Sequence, residues 1–239
     1  MTGSADHRAP RAAIAACIGL TLLGPALLWL AAVGNPLDYL GASVPDGQLL
    51  YVLSKLSGLC AVALLALQLS LTLLRATRPG RSFLHWSSTA HARLGAAVLL
   101  ASALHVVAFV SAASLRSGHL AGHLLLPRWR SGFYDAMVSV GVIALALLLV
   151  AAGLGAFARR RRRSSLVGPR AARHTHRVLV LVLVPLVLAH SYAIGSETDT
   201  LPGRLFYTLV AIVVIIGIGC GLRRLQRPGR HGGNERTAA

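Results

Sequence analysis

Long apolar segments dominate this sequence and leave few folds open to it. Six of them lie at 13–33, 48–74, 91–112, 134–157, 177–195 and 203–222. An α-helix of about 20 residues crosses the hydrocarbon core of a bilayer. Because a helix satisfies its own backbone hydrogen bonds, it can do so without water. We therefore expect an all-α integral membrane bundle of six transmembrane helices over residues 13–222.

The composition agrees with a membrane protein and argues against several other classes. Hydrophobic residues make up 55% of the 239 residues, which is too many for an ordinary soluble domain. The formal net charge of +17 is spread between the apolar segments rather than gathered in one patch, so we expect no nucleic-acid partner. The three cysteines lie inside apolar segments without CxxC spacing, which indicates neither a disulfide framework nor a thiolate metal site.

Arginine is distributed unevenly between the two sides of the predicted bundle. With a cytoplasmic N-terminus, the cytoplasmic segments hold 19 of the 23 arginines, including the run from Arg159 to Arg163. Positively charged loops stay in the cytoplasm, so both termini are predicted to be cytoplasmic, with tails at 1–12 and 223–239, the second disordered. The arginine, alanine, leucine and glycine usage is typical of a GC-rich bacterial genome. We expect a multi-pass protein of the bacterial inner (cytoplasmic) membrane.

Two of the apolar segments carry a histidine at each end. His91 and His105 bound HARLGAAVLLASALH, and His176 and His190 bound HRVLVLVLVPLVLAH. In the predicted topology these third and fifth segments run in the same direction, so the two pairs lie at matching levels. Fourteen residues rise about 21 Å and fall about 40° short of four full turns, so both histidines of a segment occupy nearly one face.

Imidazole within a membrane is costly without a partner, so such histidines indicate a functional site. A stack of two haems, each with one imidazole from each helix as axial ligands, would use this arrangement. The simpler interpretation, hydrogen-bonding or interfacial histidines, predicts neither the matched spacing nor the parallel orientation. Two other histidines, His85 and His174, are out of phase with the pairs and are expected in solvated loops.

With six segments and these paired motifs, residues 50–195 resemble the ferric reductase-like transmembrane domain of ferric reductases, NADPH oxidases and the bacterial methionine sulfoxide reductase haem subunit. In that family the matching histidines bind iron in two b haems, or sometimes one. The resemblance implies that His91 and His176 bind the inner haem, and that His105 and His190 bind the outer haem. It implies an oxidoreductase component that transfers electrons across the bilayer to an extracytoplasmic acceptor, a ferric chelate or a periplasmic protein.

The electron donor is the point at which this sequence departs from the larger family members. Those proteins continue into FAD- and NADPH-binding domains, whereas no GxGxxG follows the last apolar segment here. We therefore expect a separate flavoprotein reductase or a quinol as donor, with FMN or FAD bound on the cytoplasmic side or by that partner.

Two alternatives and two weaker signals stay open. The alternatives are a cytochrome b561-like quinone or ascorbate oxidoreductase, whose ligand pairs we expect on other helices, and a non-redox transporter whose histidines relay protons or bind metal. In GHLAGH, His119 and His123 have the spacing for a metal on a helix face, although two surface histidines on an interfacial helix explain it more simply. Arg93 and Arg177 lie close enough to the inner histidines to pair with a haem propionate, or serve only as positive-inside residues.

Overall fold

The computed structural model describes residues 8–41, 43–74, 88–129, 132–161 and 169–226. Within those ranges the chain is helical and contains no strand. The long helices are α1 (Arg8–Val33), α2 (Gln48–Leu74), α3 (Ser88–Ser117), α4 (Phe133–Arg161), α5 (Pro169–Ile194) and α6 (Leu201–Gln226). Short 3₁₀ helices lie in the connections at Pro36–Leu40, Gly122–Leu125 and Ser196–Asp199. The prediction of an all-α fold is confirmed for this part of the chain.

Five of these helices, α2 to α6, are long and apolar enough to cross a membrane, which indicates a multi-pass membrane protein. In α1 the described apolar stretch is shorter, Leu23–Val33. The sixth span and the cytoplasmic position of both termini therefore stay predictions.

Helix boundaries agree with the sequence pattern to within several residues. The second predicted segment coincides with α2, whereas α3 begins at Ser88 and continues to Ser117, beyond the predicted 91–112. At the N-terminus, α1 starts at Arg8, so the end of the predicted tail is helical. The arginine-rich connections 75–87 and 162–168 and the tail from 227 onward lie outside the described residues.

Two helical hairpins and α6 form the packed framework. The most extensive packing joins α2 to α3 and α4 to α5, while α6 packs on both α2 and α5. Valines of α2, α5 and α6 form a buried cluster, Val62, Val184, Val210 and Val214. Trp29 of α1 closes the other side of α2, where its indole N–H donates to Val52 O at 2.7 Å. This packing fixes α2 and α5 against each other, and α3 and α4 with them.

The outward faces of the helices are apolar. Leu100 of α3 and Ile215 of α6 are exposed at 63% and 68%. Large apolar side chains arranged in this way along long helices would face water in a soluble protein, and they suit contact with lipid.

Candidate functional site at two histidine pairs

Four histidines face one another in two pairs between α3 and α5. The His91 and His176 ring centroids are 6.2 Å apart, with the ring planes at 79°. The His105 and His190 centroids are 6.3 Å apart, also at 79°. We call these the 91/176 pair and the 105/190 pair. Since each end of α3 meets the corresponding end of α5, the two helices are parallel.

The separation within each pair is that of two imidazoles on opposite sides of one metal ion. Imidazole nitrogen binds a first-row metal at about 2.0–2.1 Å. In a ring of conjugated bonds of about 1.33 Å, each nitrogen lies about 1.1 Å from the centroid. Two rings bound in line would therefore have centroids about 6.2–6.4 Å apart. Both observed distances lie within this range, so the residues present fit an axial pair of ligands.

Backbone carbonyls of neighbouring helices select the tautomer of three of these rings. His105 Nδ1 donates to Ser54 O of α2 at 2.7 Å. From α5, His190 Nδ1 donates to Met137 O at 2.7 Å, and His176 Nδ1 donates to Ala151 O at 2.9 Å. A carbonyl can only accept, so Nδ1 carries a proton, and in the neutral ring Nε2 then keeps its lone pair. This is the tautomer that binds metal through Nε2.

His91 has a different contact. The Gln68 side-chain amide nitrogen lies 3.1 Å from His91 Nδ1 and 3.2 Å from its Nε2, and it donates to His91 O at 3.3 Å. The neighbour of this ring is therefore a side chain, which can rotate or be replaced. At the other three rings the partner is backbone.

The partners repeat the spacing of the histidines. Ser54 and Gln68 are fourteen residues apart on α2, and Met137 and Ala151 are fourteen apart on α4. Both hairpins are antiparallel, so a matched pair on one helix meets a matched pair on its neighbour. Each histidine level is thus supported by a flanking helix as well as by the facing helix.

Glycines give the imidazoles access to these carbonyls. Gly58, Gly141 and Gly155 each lie four residues after an accepting carbonyl, those of Ser54, Met137 and Ala151 respectively. Helix side chains point toward the N-terminus, so a Cβ at this position would cover the carbonyl one turn earlier.

The space left at these glycines differs from one to the next. A Cβ on Gly58 would lie 3.0 Å from His105 Nδ1, and one on Gly141 would lie 2.6 Å from His190 Nδ1. At Gly155 a Cβ would meet His176 Cε1 at 3.8 Å, an ordinary contact distance. Gln68 is followed four residues later by Thr72, whose hydroxyl donates to Gln68 O at 2.7 Å. At this fourth position the Gln68 side chain contacts the histidine ring.

A cavity of about 330 Å³ lies at the 105/190 pair. Its wall is formed mainly by apolar side chains of α2 to α5, including Val62, Val106, Leu145 and Val187. Phe109 also lines it and stacks on His105, with centroids 6.4 Å apart and planes at 14°. A mostly apolar cavity of this size with a few convergent polar groups is typical of a cofactor or ligand site.

Polar groups gather at one end of this cavity. Tyr51, Lys55, Glu197 and Tyr207 all line it, and the Tyr207 and Ser191 hydroxyls are 2.6 Å apart. Glu197 is only 2% exposed, and its Oε1 has no hydrogen-bond partner among the described residues. Glu197 lies in the 3₁₀ helix between α5 and α6, and nothing in the sequence of that connection marks it as buried.

The other candidate residues are not part of either pair. His119 and His123 are exposed on a bend and a 3₁₀ helix, so they do not share an α-helical face. His174 is exposed, as are Arg93 and Arg177, and His85 lies outside the described residues. Among the described residues no three His, Cys, Asp or Glu side chains come together as metal ligands.

Comparison with models of protein families, with curated proteins and with solved structures gives no match to this chain.

Proposed function

We propose that the chain is a b-type haem membrane protein that transfers electrons across the bilayer. The observation that carries this proposal is the separation of 6.2 and 6.3 Å within the two histidine pairs. In three of the four rings Nδ1 donates to a carbonyl, so the neutral form of each ring has its lone pair on Nε2. His91, His105, His176 and His190 are the proposed axial ligands.

Pairs of ligands favour haem over a metal ion held by protein alone. A protein-only zinc site uses three or four side chains, and no such group is present among the described residues. A porphyrin brings its own four nitrogens and needs only two imidazoles from the protein. The lack of a group of three or four metal ligands among the described residues also argues against a transporter whose histidines bind a metal ion.

A haem with two imidazole ligands supplies one-electron exchange and has no open axial position. The chain would hold both imidazoles in one orientation and keep water away from the cofactor. The carbonyls of α2 and α4 fix the rings, and the apolar wall with Phe109 excludes solvent. Two such levels about 21 Å apart would cover most of the hydrocarbon thickness.

Direction follows from the predicted topology. An inside-negative membrane favours electron export by about 2.3 kcal/mol per electron per 100 mV. We propose that electrons enter at the 91/176 pair, from a flavoprotein or a quinol in the bacterial inner membrane, and leave from the 105/190 pair to an external ferric chelate or periplasmic protein. The arginine distribution supports this orientation.

The first test is absorption of the purified full chain. We expect a Soret band and haem titration to about two b haems per chain. Colourless protein that fails to take up haem would refute the proposal and favour a non-redox role.

Transfer across the membrane is tested in vesicles containing the loaded protein with a ferric chelate trapped on the extracytoplasmic side. We expect the trapped acceptor to be reduced when a flavoprotein reductase or a quinol is added outside, and NADPH alone to give no reduction. Failure of the trapped acceptor to receive electrons from reduced protein would contradict transmembrane transfer.

A further inference from the structure

The only lysine of the chain, Lys55, lies in α2 with its side chain in the cavity at the 105/190 pair. Its Nζ is 2.7 Å from Ser196 Oγ. The same ammonium lies 5.0 Å from the centroid of the Tyr51 ring. Lys55 therefore sits at the polar end of the cavity rather than extending along the outer surface of the helix.

The surroundings of this ammonium lack a matching negative charge. An ammonium within a transmembrane helix is costly unless an anion or water offsets it. Its contacts here are a neutral hydroxyl and an aromatic face, and among the described residues it makes no ion pair. Glu197 lines the same cavity, but its Oε1 is not bonded to Lys55. The cation is thus available to an anion that enters the cavity.

Lys55 is also level with the 105/190 pair. It directly follows Ser54, whose carbonyl accepts from His105 Nδ1. Its partner Ser196 lies in the 3₁₀ helix that begins soon after His190 at the end of α5. A ligand between His105 and His190 would therefore have its edge close to this ammonium. One edge of a b haem carries two propionate carboxylates.

We propose that Lys55 leaves the Ser196 hydroxyl and binds a propionate of the haem held at the 105/190 pair. This inference rests on the proposed function. It makes Lys55 a positioning residue, because it orients the cofactor without binding iron. A hydrogen bond between two charged groups is stronger than the bond to the neutral Ser196 hydroxyl that it would replace.

Arg116 provides a matched control cation. Its guanidinium lies 5.6 Å from the Tyr51 centroid and donates to Gln48 Oε1 at 2.6 Å. It is not among the residues that line the cavity. Removing this charge tests whether a cation near Tyr51 but outside the cavity wall also contributes to haem binding.

The test is haem titration of the full chain in detergent, followed by absorption. Two probes are used: protohaem, and its dimethyl ester, in which both propionates are neutral. A His91→Ala background confines the titration to the 105/190 pair. The proteins compared carry Lys55, Lys55→Met, Lys55→Arg or Arg116→Met.

We expect Lys55→Met to bind protohaem about ten-fold or more weakly, in line with a hydrogen bond between charged groups. Lys55→Arg and Arg116→Met should bind it like the parent. With the dimethyl ester, Lys55→Met and the parent should bind equally, which also shows that the variant is folded. Equal protohaem affinities, or the same loss with both probes, would overturn the role of Lys55.

A soluble carboxylate is the competing source of the anion. If Lys55→Met left haem affinity unchanged and instead raised the KM for ferric citrate, Lys55 would bind the acceptor and the propionate assignment would be wrong. Failure of the parent protein to bind either porphyrin would instead refute the proposed function itself.

Discussion

The two histidine pairs have the same ring separation but are built differently. In the 105/190 pair both rings donate to backbone carbonyls at 2.7 Å, and glycine lies tightly against each. In the 91/176 pair His176 donates to a carbonyl at 2.9 Å, and the facing glycine leaves ordinary contact distance. His91 contacts the Gln68 side chain. The first pair is fixed by backbone, whereas the second depends partly on a side chain.

This difference has a physical consequence for cofactor binding. A ring that donates to a helix carbonyl must break that hydrogen bond to turn, so its orientation is favoured before a ligand arrives. A ring whose neighbour is a glutamine amide has a partner with rotatable bonds of its own. We expect the 105/190 pair to bind more tightly and to tolerate fewer changes on its flanking helices.

The largest effect comes from removing a ligand. His105→Ala or His190→Ala should eliminate one haem, and His91→Ala or His176→Ala should eliminate the other, because each iron needs one ligand from each helix. Haem titration with spectra of each variant measures this, with exposed His174→Ala as the control that keeps both haems. If all four changes removed the same single haem, the two pairs would not be separate sites.

Alanine substitution of the glycines should have a smaller effect on haem binding, and the effect should differ between the two pairs. Gly141→Ala places a methyl group 2.6 Å from His190 Nδ1, so the ring or helix must shift. Overpacking of this kind costs about 1–3 kcal/mol, which corresponds to roughly 5- to 150-fold weaker haem binding at the 105/190 pair.

Gly155→Ala is the matched variant at the other pair. A methyl there meets His176 at 3.8 Å, so haem affinity should stay within about two-fold, and the helix should gain about 0.5–1 kcal/mol from the loss of glycine. Equal losses of affinity in the two variants would show that close packing at Gly141 is unimportant.

A further comparison concerns the flanking helix α2. Gln68→Leu removes the amide beside His91, and we expect about ten-fold weaker binding at the 91/176 pair, the lower end of effects seen when a partner of a ligand is removed. Ser54→Ala should leave the 105/190 pair unchanged, because its carbonyl holds His105 while its hydroxyl donates to Tyr51 O within the helix. A loss in Ser54→Ala as large as in Gln68→Leu would contradict the contrast between backbone and side-chain support.

Much of the fold was predictable because membrane helices are specified locally. The apolar segment 48–74 matches α2 residue for residue, since the need to bond every backbone group within the segment leaves no alternative to helix. The positions of the four histidines at common levels also followed from helix geometry. In contrast, the GHLAGH segment was predicted as a helix from spacing alone and forms a turn followed by a 3₁₀ helix, because two histidines do not specify helix length.

The sequence by itself determined that α3 and α5 each carry two imidazoles about 21 Å apart on one face, since rise and twist per residue are fixed by the backbone. Only the tertiary structure decided how those imidazoles are held. The backbones of α3 and α5 make little contact, and the rings are supported instead by α2 and α4. Gly58, Gly141 and Gly155 become meaningful only once the helix opposite each is known, because a missing side chain matters through the neighbour that fills its space. The same holds for Lys55 and Glu197, whose place at one cavity depends on how distant segments pack.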